Sequence, residues 1–134
     1  MSQLRALVCD DDSGYRLQVR DLLEQRGVEV LEASDGQDAM NLFVKESVDL
    51  VVTDFLMPKI DGLQVIRNIR LSGEHGRQVP IILMSAISRT HIDQEHSGFE
   101  PDYYINKPFK NRKMAKLLDR VIEQARARSG RNQA

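Results

Sequence analysis

Short apolar runs alternate five times with segments of helical periodicity along this 134-residue chain. The runs are Leu4–Cys9, Val28–Leu31, Leu50–Thr53, Val79–Met84 and Tyr103–Ile105. Val79–Met84 is apolar throughout, which is typical of strands buried on both faces. Alternating strands and helices predict right-handed crossovers, so we expect one parallel five-stranded sheet with helices on both faces, an α/β fold.

The intervening segments carry apolar stripes at helical spacing. Tyr15, Val19, Leu22 and Leu23 share one helical face, and the last helix has the clearest stripe, from Met114 to Ala125. Residues 88–102 contain few large apolar side chains, which predicts a short, exposed and mobile helix there. We expect one folded unit over residues 1–125, followed by a frayed, polar and basic tail over 126–134.

Composition excludes several classes of protein. Residues 1–106 contain 10 basic and 18 acidic side chains, whereas residues 107–134 contain 9 basic and 2 acidic ones, so the chain as a whole is not a basic nucleic-acid binder. A single cysteine, Cys9, cannot form an internal disulfide and fits a reducing compartment. No signal peptide or uncharged stretch of membrane-spanning length is present, which predicts a soluble cytoplasmic protein with no membrane contact.

Polar side chains follow four of the five predicted strands. Asp10, Asp11 and Asp12 follow the first strand, and Asp54, Ser85 and Lys107 follow the third, fourth and fifth. The carboxyl ends of parallel strands share one edge of the sheet, where doubly wound proteins bind ligands. Clustered carboxylates suit Mg²⁺. Alternatively, the acids after the first strand cap a helix, and Asp54 begins a turn before Pro58.

These residues resemble a known family. Ala6-Leu7-Val8-Cys9-Asp10-Asp11, the stretch Val51–Gly62, Ser85-Ala86 and Lys107-Pro108-Phe109 look like the motifs of the receiver domain of two-component response regulators. The resemblance covers residues 4 to about 125. It implies a flavodoxin-like, doubly wound sheet of strand order 2-1-3-4-5.

The resemblance also implies roles at the predicted site. Asp54 would accept a phosphoryl group from a sensor histidine kinase or a histidine phosphotransfer protein. Asp11 would bind Mg²⁺ directly and Asp10 mainly through a water, while Asp54 and the backbone carbonyl of Leu56 would complete the protein ligands. Lys107 would supply the opposing positive charge.

Further family positions imply structural and switching roles. The Lys107–Pro108 peptide bond would be cis, and Pro58 and Gly62 would shape the turn after Asp54. Ser85 would bind the phosphoryl group, and Tyr104 would rotate to change the surface of the 88–102 segment, the fifth strand and the last helix. We expect no activity beyond the domain's own phosphorylation and dephosphorylation, an unknown downstream protein partner, and a phosphorylation-dependent homodimer through the last helix.

Some positions depart from common receivers. Leu56 and Ile87, two residues after Asp54 and Ser85, are apolar and predict slow loss of the phosphoryl group. Asn106 stands where an apolar strand residue is usual, and Gly98-Phe99-Glu100-Pro101 replaces a small Gly-Ala pair ahead of the fifth strand.

Three other classes of protein share part of this pattern. Asp10-Asp11-Asp12 contains the Asp-x-Asp of phosphatases that resemble the haloacid dehalogenase superfamily, but no later acid pair follows. A pseudo-receiver that works without phosphorylation would have lost an acid or the lysine. Nucleic-acid binding by the basic last helix is disfavoured because no aromatic residues are interleaved with the cations Lys110, Arg112, Lys113, Lys116 and Arg120.

Overall fold

The computed structural model describes residues 3–87 and 99–133. The strands are β1 Arg5–Cys9, β2 Glu29–Ala33, β3 Leu50–Asp54, β4 Ile81–Ser85 and β5 Tyr103–Asn106. The helices of the described residues are α1 Ser13–Glu24, α2 Gly36–Lys45, α3 Gly62–Leu71, α4 Glu74–Gln78 and α5 Asn111–Gln133. The mobile helix predicted over 88–102 falls largely outside the described residues.

The five strands form one parallel sheet in the order β2-β1-β3-β4-β5, which confirms the predicted topology. Leu7 of β1 pairs with Leu31 of β2 on one side and with Val51 of β3 on the other. Every strand therefore ends at the same edge, called here the carboxyl edge.

Two apolar clusters lie on opposite faces of the sheet. Val8 of β1 belongs to a cluster completed by Leu23 of α1 and Leu118 of α5. Its neighbour Leu7 belongs to the other cluster, with Phe43 of α2 and Ile66 of α3. Alternate residues of a strand thus enter different cores, which explains why the strand sequences are apolar throughout.

Aspartates begin three of the helices. The side chain of Asp12 accepts hydrogen bonds from the first turn of α1, and Asp35 does the same for α2. At α3, Asp61 and Gln64 form a capping box in which each side chain bonds the other's backbone N–H. These caps satisfy backbone groups that a helix start leaves unpaired and so fix where each helix begins.

The chain's last helix differs from the prediction. It continues to Gln133, so residues 126–133 extend α5 where a frayed tail was expected. Polar composition does not by itself end a helix, because arginine, alanine and glutamine are good helix formers and no proline interrupts the segment. Arg128 also donates a hydrogen bond to Nδ1 of His75, at 3.1 Å, which holds this part of the helix against the body.

Helix α4 was not predicted either. Its five residues have no apolar stripe and include Gly76, whose missing side chain allows the carbonyl of Ile69 to approach. Arg70 fastens this turn, since its Nη1 donates to the carbonyl oxygens of Gly76 at 3.0 Å and Val79 at 2.7 Å. Its Nη2 also pairs with Asp102, at 3.1 Å, just before β5.

Among residues 3–87 and 99–133, no helix combines the length and the apolarity that crossing a bilayer requires.

Candidate functional site

Three carboxylates meet at the carboxyl edge of the sheet. Asp10 and Asp11 follow β1, and Asp54 is the last residue of β3. One carboxylate oxygen from each lies within 4.8 Å of the others. Asp10 is fully buried and Asp54 almost so, whereas Asp11 is exposed. The structure thus brings together the acids that the sequence placed at this edge.

Lys107 completes the cluster from the far side. It follows β5, and its backbone N–H donates to the carbonyl oxygen of Ser85 at 2.8 Å. Its Nζ lies 2.6 Å from Oδ2 of Asp10 and 2.9 Å from Oδ1 of Asp54, with only 11% of the side chain exposed. The Lys107–Pro108 peptide bond is cis, which confirms the expectation from the resemblance.

Burial and the lysine act in opposite directions on the acids. Burial raises the pKa of Asp10 and of Asp54, and the hydrogen bond from Lys107 offsets this only in part. Burial alone would lower the pKa of Lys107, but hydrogen bonds to the two carboxylates more than compensate, so its pKa is raised. The pocket therefore holds Lys107 as a cation between two acids.

The donor set fits a magnesium ion. Three carboxylates against one ammonium leave an excess of negative charge at this edge. Oxygen-only donors at a solvent-accessible edge suit Mg²⁺, which keeps several waters, better than zinc. Asp10, Asp11 and Asp54 could hold such an ion.

Asp12 has a different role from its neighbours. Its Oδ1 accepts hydrogen bonds from the backbone N–H groups of Gly14 at 2.8 Å and Tyr15 at 3.2 Å. Its own N–H donates to Oδ1 of Asp10 at 2.9 Å, which orients that carboxylate. The helix-capping alternative is therefore correct for Asp12 alone, and the second acid of the Asp-x-Asp pattern is engaged with the helix.

The turn after Asp54 is built on close backbone contacts. Gly62 donates to the carbonyl oxygen of Phe55 at 2.6 Å, and a Cβ atom at position 62 would lie 2.2 Å from the carbonyl oxygen of Asp54. Lys59 adopts a positive φ of 71°, and Ile60 donates to the carbonyl oxygen of Pro58 at 2.9 Å. These contacts support the structural roles predicted for Gly62 and Pro58.

Of the residues predicted to bind and sense a phosphoryl group, Ser85 ends β4 at the carboxyl edge, whereas Tyr104 pairs with Leu83 near the start of β5. Ser85 is buried, and its Oγ accepts a hydrogen bond from the backbone N–H of Ile87 at 2.8 Å. Tyr104 is half-buried against the α2–α3 face of the sheet, whereas Tyr103 packs against the α1–α5 face. Leu56, two residues after Asp54, is 57% exposed. Their proposed switching and ligand roles remain predictions.

Sequence reasoning missed two contributors to the site. The Tyr15 ring lies 4.2 Å from Nζ of Lys107 and 5.4 Å from the Phe109 ring. Helical spacing assigned Tyr15 to the core stripe of α1, and no local signal marks it as a neighbour of the lysine. Thr53 is buried, and its hydroxyl donates to the carbonyl oxygen of Asp54 at 3.1 Å; its place one residue before the strand-end acid was the available signal.

A 2-1-3-4-5 parallel sheet with an acid cluster and a lysine at its carboxyl edge defines the class of receiver modules used in signalling. Residues 6–119 match the sequence model described as the response regulator receiver domain. The chain belongs to this family, whose members are signalling modules of two-component systems.

Individual response regulators resemble this chain in sequence and in fold. The response regulator MprA of Mycolicibacterium vanbaalenii is 36% identical over 108 residues, covering 79% of this chain and 45% of the relative. Chemotaxis response regulator CheY4 of Vibrio cholerae superimposes with a TM-score of 0.80 at 26% identity, covering 90% of this chain and 99% of that one.

A second similar structure contains a metal. The receiver domain of sensor histidine kinase PA1611 from Pseudomonas aeruginosa superimposes with a TM-score of 0.78 at 28% identity, over 91% of this chain and 99% of that one, and has a magnesium ion coordinated in its active-site cleft. The chain spans about half the length of the curated relatives it matches, 53% and 45% of the first two.

Proposed function

We propose that this receiver domain accepts a phosphoryl group on Asp54 from the phosphohistidine of a sensor histidine kinase or a histidine phosphotransfer protein. The observation that carries the proposal is the placement of the Lys107 ammonium, 2.9 Å from Oδ1 of Asp54 and 2.6 Å from Oδ2 of Asp10. A strand-end carboxylate beside a fixed cation is the arrangement that phosphoryl transfer to an acid needs.

The chemistry follows from these groups. A carboxylate oxygen of Asp54 attacks phosphorus, a P–O bond forms, and the P–N bond to the donor imidazole breaks with its electron pair leaving on nitrogen. Lys107 neutralises negative charge on the phosphoryl oxygens, and the buried pocket strengthens that interaction. In its carboxylate form Asp54 has no proton on the attacking oxygen, so the transfer needs no general base.

Mg²⁺ is the cofactor that the donor set fits. Asp10, Asp11, Asp54 and the backbone carbonyl of Leu56 would hold it, and when bound it would add positive charge facing the phosphoryl oxygens. Asp10 is oriented for this by the N–H of Asp12.

Signal output rests on Ser85 and Tyr104. Ser85 would turn its hydroxyl from Ile87 toward the new phosphoryl oxygens, and Tyr104 would move into the space released. The changed surface around β5 and α5 would then bind a downstream protein or a second copy of the domain. We place the domain in the cytoplasm and assign it no reaction beyond its own phosphorylation and dephosphorylation.

Intact-protein mass after incubation with acetyl phosphate and Mg²⁺ tests the proposal. The wild type should gain one phosphoryl group, and Asp54→Asn and a sample with EDTA should gain none. Asp12→Asn is the matched control, because asparagine also caps helices and Asp12 lies outside the carboxylate cluster. An adduct on Asp54→Asn, or none on the wild type together with no binding of a beryllofluoride mimic, would reject the proposal in favour of a phosphorylation-independent module.

A further inference from the structure

The lysine of the site is in contact with an aromatic pair. Nζ of Lys107 lies over the Tyr15 ring, 4.2 Å from its centroid, and the Tyr15 ring in turn packs against Phe109 at 5.4 Å with a 49° tilt. The ammonium thus has a carboxylate on two sides and a ring face on a third. A ring face attracts a cation and, unlike a carboxylate, does not compete for its proton.

Helix α1 holds the ring in place. The backbone N–H of Tyr15 is fixed by the Asp12 cap at 3.2 Å. One turn further along, Nε2 of Gln18 donates to Oδ1 of Asn111 at 2.7 Å and reaches the carbonyl oxygen of Phe109 at 3.4 Å. Two side chains of α1 at helical spacing therefore contact the segment that directly follows Lys107.

We propose that Tyr15 is a positioning residue for Lys107. Its ring holds the Lys107 ammonium next to Asp54, and Gln18 holds the segment 109–111 that follows the lysine. The expected effect on the rate of phosphorylation rests on the proposed phosphoacceptor function of Asp54, whereas the contact between the Tyr15 ring and Lys107 does not. With the ring present, Nζ keeps the position at which phosphoryl charge develops. Without it, the flexible lysine stem samples other rotamers and the ammonium is less often in place.

Three variants test whether the Tyr15 ring positions Lys107. Tyr15→Leu removes the ring and keeps an apolar side chain, and Tyr15→Phe keeps the ring and removes the hydroxyl. Tyr103→Leu is the matched control, because Tyr103 is also a half-buried aromatic but lies at the other end of β5, against the α1–α5 core.

The first readout is the NMR signal of the Lys107 ε-methylene, assigned by its loss in Lys107→Arg. Protons over a ring face are shifted upfield, so the signal should lie upfield of the other lysines in the wild type, in Tyr15→Phe and in Tyr103→Leu, and should move back among them in Tyr15→Leu. An unshifted signal in the wild type would overturn the proposal even if Tyr15→Leu failed to fold.

The second readout is phosphorylation by acetyl phosphate with Mg²⁺. Tyr15→Leu should lower the maximal rate about three- to tenfold, with little change in half-saturating acetyl phosphate, and Tyr15→Phe should restore the rate. A wild-type rate in Tyr15→Leu, or an equal loss in Tyr103→Leu, would overturn the positioning role. If no variant, wild type included, is phosphorylated, the proposed function fails and the NMR signal still decides the contact.

Discussion

Adding one methyl group at Gly62 should disturb both the stability and the site. The new Cβ atom would lie 2.2 Å from the carbonyl oxygen of Asp54, 2.9 Å from Cα of Phe55 and 3.0 Å from the carbonyl carbon of Asp54. All three are backbone atoms, so no side chain can rotate away. Relief requires α3 and the end of β3 to separate by about 1 Å, since ordinary contacts begin near 3.4 Å.

The free-energy change can be worked from these contacts. Overpacking against rigid atoms costs about 1–3 kcal/mol. Stretching the Gly62 to Phe55 hydrogen bond, now 2.6 Å, costs about 1 kcal/mol more. Alanine regains about 1 kcal/mol through its better helix propensity. We therefore expect Gly62→Ala to lower the free energy of unfolding by about 1–3 kcal/mol, which lowers the unfolding temperature by about 4–12 °C.

Gly14→Ala is the matched control, because it adds the same methyl group to the first turn of α1. There the Cβ atom meets only a carboxylate oxygen of Asp12, at 3.1 Å, which can move slightly. Urea titrations should show a loss below about 1 kcal/mol for Gly14→Ala. Equal midpoints for the two variants, or full phosphorylation of Gly62→Ala at the wild-type rate, would refute the claim that this close approach positions Asp54.

Four further outcomes are expected. The phosphorylated forms of Leu56→Asn and of Ile87→Glu should lose the phosphoryl group faster than the wild type does, because a polar side chain near Asp54 would help to hold the attacking water. Unchanged lifetimes would show that these apolar residues do not slow the hydrolysis. Without metal at pH 7, Asp54→Asn should unfold at higher urea than the wild type, since burial raises the pKa of Asp54 and ionising it opposes folding. As the pH falls through the raised pKa of Asp54, the carboxylate is protonated and the wild type regains that stability. The difference in urea midpoint between the two proteins should therefore become smaller toward acidic pH, and a difference that grows would contradict the raised pKa of Asp54. Added Mg²⁺ should raise the urea midpoint of the wild type and leave that of Asp54→Asn nearly unchanged, whereas equal gains in both would show that the ion binds elsewhere. Arg70→Met should lower the free energy of unfolding by about 2–4 kcal/mol, because carbonyl groups of α4 and its neighbours lose their hydrogen-bond donor. Arg67→Met, at an exposed position of the same helix, should leave the free energy of unfolding almost unchanged. Similar losses in the two variants would attribute the effect to helix propensity instead.

The sheet and the carboxylate cluster could be predicted because each depends on a short-range signal. An apolar run such as Val79–Met84 indicates a strand buried on both faces, and parallel strands necessarily end at one edge. Asp10, Asp54 and Lys107 were therefore expected together before any contact was known. Their distances of 2.6 and 2.9 Å confirm that expectation.

The rest depended on contacts between distant segments. Tyr15 and Lys107 are 92 positions apart in the sequence, and the spacing of Tyr15 is equally that of a core residue. The helix α5 extends beyond the end that the sequence predicts, and Arg128 in this extension contacts His75. No sequence pattern near residue 128 encodes that contact. Helix α4 depends on Arg70 in the same way, since its carbonyl oxygens are bonded from outside the helix.

Helix α5 connects the two ends of the molecule. It begins four residues after Lys107, and near its other end Arg128 contacts His75, whose Nε2 lies 2.6 Å from the carbonyl oxygen of Val48 just before β3. Its 23 residues span about 34 Å, and Met114, Leu118 and Val121 bury it in the core along much of that length. One continuous helix therefore joins the residues that follow Lys107 at the carboxyl edge to the residues that precede β3 at the opposite edge. A shift of α5 along its axis at one edge would move its contact at the other edge by the same distance.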